Sequence, residues 1–143
     1  MINEQQLGSN QYSIGIVTFE KRFETYFKPL LSSIKKYRPD IEITVCVNGE
    51  YKNKTNQEYS KQILSFCSEY SNVYPQLYIK FNSLAKLWNR AVINSTNNLV
   101  LVLNDDIQVT EEFFDLLDSL VPKCKGKITL FNRIFSHFVV DRE

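Results

Sequence analysis

At 143 residues the chain is one domain by length, with room for a real core but little for separate cofactor and acceptor sites. Lys and Arg number 17 against 16 Asp and Glu, so there is no basic footprint for nucleic acid and no acidic tail. Aromatics at 13% argue against disorder, the longest apolar run is too short to cross a bilayer, and the polar N-terminus (1–11) reads as a loose segment, not a signal peptide.

In chain order, SIGIVTF (13–19) predicts a buried strand. Phe23, Phe27, Leu30, Leu31 and Ile34 then recur at helical spacing, and Pro29 predicts a short turn followed by a helix that starts near it. IEITVCV (41–47) predicts a strand with Ile41, Ile43, Val45 and Val47 on one face, closed by Asn48-Gly49 as a turn. Thr55 with Glu58 forms a capping box ahead of a stripe of Tyr59, Ile63, Phe66, Cys67 and Tyr70. Residues 73–81 predict a strand that Pro75 assigns to a sheet edge or a late start. A helix over 83–95 carries Leu84, Leu87, Trp88, Ala91 and Val92, with Trp88 read as core.

LVLVLNDDIQV (99–109) follows, its five apolar residues suited to a strand buried on both faces of a parallel sheet. Thr110 with Glu111 and Glu112 caps a helix presenting Phe113, Leu117 and Leu120 as far as Pro122. Lys127 to Asp141 is β-rich, and His137 reads as structural within it. Cys46, Cys67 and Cys124 lack any CxxC spacing and read as reduced, cytoplasmic thiols; the sequons at Asn53 and Asn94 have no secretory signal behind them. Alternating strands and helices predict an α/β fold, a mostly parallel sheet flanked by helices on both faces.

Asp105 and Asp106 leave the most hydrophobic strand, where open α/β sheets bind ligands. Two like charges so close need a cation, a proton or solvent between them. There is no GxGxxG after the first strand, no GxxxxGK[ST] and only four Gly, so no glycine-rich loop cradles phosphates; a metal on the carboxylates is the alternative device.

VTFEKR (17–22), SLAKLWNRAV (83–92) and LVLNDD (101–106), in that order, resemble the nucleotide-binding N-terminal part of GT-A fold glycosyltransferases of the family 2 type, and FNRIFSHFVVDRE is similar to the strand region that follows. The resemblance implies a nucleotide-diphosphate sugar of UDP or GDP type as ligand, with NDD as a variant DxD motif. Asp106 would bind the Mn²⁺ or Mg²⁺ that bridges the diphosphate, with Asn104 on ribose or sugar hydroxyls and Asp105 on the sugar or, through water, the metal. Thr18 and Glu20 would face the nucleoside, Asn48 would replace the Asp that often meets the uracil ring, and Arg90 would approach phosphate or sugar. The family's general base lies beyond this region. The expectation is therefore a truncated or short chain, or one completed by another subunit as a homo-oligomer, with the acceptor unknown. Two other classes stay open: a non-catalytic sugar-nucleotide-binding module, and a metal-dependent α/β phosphotransferase with Asp105 as nucleophile.

Overall fold

The computed structural model describes residues 12–49, 57–123, 128–130 and 138–141, the last two segments for their backbone only. One six-stranded sheet has the order β3-β2-β1-β4-β6-β5. Its strands are β1 (Tyr12–Thr18), β2 (Ile43–Val47), β3 (Val73–Leu77), β4 (Leu99–Asn104), β5 (Ile128–Leu130) and β6 (Phe138–Asp141). The first four are parallel; β6 joins β4 antiparallel and carries β5 antiparallel on its outer side. The helices are α1 (Lys28–Tyr37), α2 (Gln57–Ser68), α3 (Leu84–Asn94) and α4 (Glu111–Leu120).

Side-chain alternation along the strands separates two layers. Tyr12, Ile14 and Ile16 of β1, Ile43, Val45 and Val47 of β2, and Leu99, Leu101 and Leu103 of β4 join the large core with residues of α1, α2 and α4. Val17 and Cys46 face the other way, against Leu87 and Ala91 of α3. Each such aliphatic residue, fully buried, contributes about 1.5–3 kcal/mol relative to exposure. Gly15 explains how closely α3 lies on the sheet: a Cβ there would come within 2.9 Å of the Ala91 Cβ. Helices on both faces of a mostly parallel sheet match the expected fold class.

The element ends differ from the sequence pattern for local reasons. Phe19 lies outside β1 and is exposed. Between it and α1 the chain makes a 3₁₀ turn (Glu20–Arg22) and a π turn (Phe23–Phe27) that bury Phe23 and Phe27, so α1 enters as expected around Pro29. β2 starts at Ile43, not Ile41, because the buried Lys35 ammonium donates to the Ile41 carbonyl at 2.7 Å. Its other donors reach the carbonyls of Ser71 at 2.6 Å and Pro39 at 3.1 Å, tying the end of α1 to two later turns. β3 is an edge strand, as Pro75 required, but ends at Leu77. Ser83 caps α3 and Thr110 caps α4, each accepting from the backbone N–H three residues on. In α4 the fully buried residues are Phe114 and, as expected, Leu117, while Phe113 packs half-buried against the same core and Leu120 is half-buried. Residues 1–11, Asn53, Thr55, Cys124, His137 and most of FNRIFSHFVVDRE lie outside the described residues.

Candidate functional site

Strand order reverses direction between β1 and β4, the place where doubly wound sheets open a crevice at their carboxyl ends. Val17 is in register with Asn104, so the next residue on each strand, Thr18 and Asp105, meets across that gap. The Thr18 hydroxyl donates to Asp105 Oδ2 at 2.8 Å. Arg22, delivered by the 3₁₀ turn, donates from Nε to Asp105 Oδ1 at 2.7 Å and places Nη2 3.0 Å from Asp106 Oδ2. One guanidinium thus spans both carboxylates. Its plane is flanked by Tyr26, whose ring centre lies 4.6 Å from Cζ, with Phe19 at 5.8 Å.

The two acids sit in opposite environments. Asp105 is 3% exposed, and burial pushes its carboxyl above the usual range, while Thr18 and Arg22 pull against that and the Asp106 charge adds to it. The Asp106 side chain is 46% exposed. Neither acid starts α4, whose N-cap is Thr110. The pair is therefore not accounted for as a helix-start signal.

The remaining sequence candidates take distinct places. Asn104 ends β4 half-buried, beside the pair. Glu20 opens the 3₁₀ turn, and its charge acts on the Tyr59 phenol. Asn48 donates its backbone N–H to the Thr18 carbonyl at 2.8 Å, so the exits of β1, β2 and β4 are linked. Its side-chain amide is committed to Asn82: Nδ2 donates to the carbonyl at 3.0 Å, and Oδ1 accepts from the backbone N–H at 2.9 Å. A contact from that amide to a base would have to replace one of these bonds. Arg90 is exposed on α3, and the groups that feel its charge are Cys46 and Tyr78, towards the β2–β3 half of the sheet.

Three site residues escape a reading of the sequence by motif. Arg22 lies within VTFEKR, and a basic residue just after a strand exit was the available signal. Tyr26 is an exposed ring whose role depends on Arg22. Tyr59 belongs to the apolar stripe of α2, yet its phenol is pushed upward by burial first and then by the charges of Glu20 and Asp105. The phenol is therefore within electrostatic reach of the acidic pair. A cleft of about 480 Å³ between Phe23, Lys28 and α2 lies elsewhere, and its rim mixes Lys28 and Lys61 with Glu24, Glu58 and Glu69.

A resident metal does not fit: among the described residues no three His, Cys, Asp or Glu side chains converge. A metal shared with a ligand would ask less of the protein: Mg²⁺ is commonly held by one or two carboxylates with phosphates and water completing the shell, and Asp106 is a half-exposed carboxylate at a strand exit whose present partner is Arg22.

The fold is that of the GT-A glycosyltransferases. Its structural neighbours include S. aureus TarS, a family 2-like glycosyltransferase of GT-A type. A structure of TarS residues 1–349 superposes with a TM-score of 0.58 at 17% identity, covering 78% of this chain and 32% of that one. A longer TarS structure gives 0.61 at 19%, covering 79% and 20%. The chain thus spans about a third and a fifth of these neighbours. No family model matches the sequence, and no curated protein matches it. No helix among the described residues is long and apolar enough to cross a membrane.

Proposed function

We propose that the chain is the sugar-nucleotide-binding part of a glycosyltransferase, holding the diphosphate of a UDP- or GDP-sugar at the acidic pair through a shared Mn²⁺ or Mg²⁺. The observation that carries this is the split pair at the β1/β4 switch point: Asp105 buried and locked by Thr18 and Arg22, Asp106 half-exposed beside it and ion-paired to Arg22 alone among the bonds described. When bound, the metal supplies Lewis-acid stabilisation of the leaving diphosphate. Asp106 would hold it, and Thr18 and Arg22 keep the Asp105 carboxylate fixed behind it. Asn104 and Glu20 border the crevice where ribose or sugar hydroxyls would lie, and Arg90 remains a candidate for the ligand's outer parts. The buried free thiols Cys46 and Cys67 suit a reducing compartment such as the cytoplasm, where such donors occur.

The phosphotransferase reading is weakened by the geometry. A nucleophilic Asp105 needs an open oxygen, and both of its oxygens accept hydrogen bonds in a buried setting. Transfer to an acceptor, as opposed to binding alone, is separated by assay. Calorimetric titration with UDP, GDP and their sugars, with and without Mn²⁺, should show metal-dependent binding by the wild type. Asp106→Ala should lose at least tenfold in affinity, with stability changed by no more than about 1 kcal/mol, since exposed ion pairs contribute little. Binding unaffected by Asp106→Ala, or absent for both nucleotides with Mn²⁺, would sink the proposal; turnover of a sugar donor distinguishes an enzyme from a binding module.

A further inference from the structure

We propose that Arg22 is a positioning residue that closes the acidic pair in the ligand-free chain and exchanges the Asp106 carboxylate for the ligand's diphosphate when a divalent cation arrives. This rests on reading the pair as a sugar-nucleotide site. The guanidinium already occupies the position a cation needs: Nε on Asp105 at 2.7 Å, Nη2 on Asp106 at 3.0 Å. Two positive charges cannot share Asp106 Oδ2 without strong repulsion at such separations, so the cation and Arg22 compete for it.

Release is asymmetric. Asp105 is buried and keeps the Thr18 hydrogen bond when Arg22 moves, whereas Asp106 is half-exposed and ready for water or metal. Arg22 itself is 29% exposed on a three-residue turn, with its guanidinium against the exposed ring of Tyr26, not within the core. It can therefore leave Asp106 without opening the hydrophobic layer. A planar fork that gives up one carboxylate finds an equivalent bidentate partner in a diphosphate. The cation and the diphosphate then reinforce one another through this side chain, and linkage makes that reinforcement reciprocal.

Mn²⁺ titration followed by electron paramagnetic resonance, alone and in the presence of UDP or GDP, tests this on the wild type, Arg22→Gln and Arg22→Lys. The wild type should bind Mn²⁺ weakly alone and roughly tenfold more tightly with nucleotide, in the usual range of coupling between sites. Arg22→Gln should bind Mn²⁺ alone roughly tenfold more tightly than the wild type and lose most of the nucleotide enhancement. Arg22→Lys keeps the charge but cannot span two carboxylates, so it should lose the enhancement too. Arg22→Gln with unchanged Mn²⁺ affinity and full enhancement, or Arg22→Lys indistinguishable from the wild type, overturns the exchange while leaving the binding site standing. Absence of Mn²⁺ binding in all three proteins, with either nucleotide, overturns the site reading and this inference with it.

Discussion

At Asp105 burial and hydrogen bonding pull the same carboxylate in opposite directions. Burial disfavours its anion, and this outweighs the help from Thr18 and Arg22, so its folded value lies above the ordinary one. Between those two values the folded chain holds a proton that the unfolded chain has released. Stability contributed by this group therefore falls as pH rises through that window, and the full cost is present above it. Asp105→Asn removes that cost, and a neutral amide can still meet both neighbours, its oxygen facing Arg22 and its NH₂ facing the Thr18 hydroxyl. The expected result is a melting temperature at pH 7 equal to or above the wild type, a flatter dependence on acid, and lost nucleotide binding. A variant that melts markedly lower would show the carboxylate to be structural. None of this was legible locally. NDD announces itself after LVLVL, but only the register Val17↔Asn104 decides that Asp105 turns inward and Asp106 outward.

Between elements, the turn after β2 and the segment 78–82 behave as one piece. Tyr78 N–H bonds the Val47 carbonyl, Asn48 and Asn82 share two bonds, and a Cβ on Gly49 would strike the Ile79–Lys80 backbone. Gly49→Ala must push main chain aside, and overpacking of this kind costs about 1–3 kcal/mol. Thermal melts should show that loss; an unshifted melt would mean the segment yields freely. Lys35 plays a similar tying role at the opposite end of the sheet. Lys35→Met leaves carbonyls of Pro39, Ile41 and Ser71 without their donor, and chemical denaturation should show a loss of about 1–3 kcal/mol. The sequence pattern caught the punctuation at this scale, Pro29, Pro75 and Thr110, because each acts on its own backbone. It missed Phe114 as the deeper of two adjacent rings in α4, since Phe113 and Phe114 fit a 3.6-residue period with Leu117 equally well. It also placed the start of β2 too early, because the lysine that takes the Ile41 carbonyl lies on another element.

Across the molecule, β1 is flanked by β2 and β4 and covered on both sides, while β3 has one neighbour and an imino acid in its middle. Native-state hydrogen exchange should find the slowest amides in β1 and β4 and markedly faster ones in β3. Equal protection in β3 would mean that something further covers its outer edge. The layer architecture was readable from alternation of strand and helix. The antiparallel β5–β6 addition was readable only as β-rich sequence, because pairing direction depends on the path between strands.

The Thr18–Asp105 hydrogen bond joins residues 87 positions apart. No local fragment can form it, and closing so long a loop must precede any reward from the contact. During refolding, capacity to retain nucleotide should therefore return in the last kinetic phase, together with β1–β4 pairing and after the helices. A nascent or damaged chain with native helices but unpaired β1 and β4 would lack this lock on Asp105, so on the proposed reading ligand capture would double as a report that the two central strands have been joined.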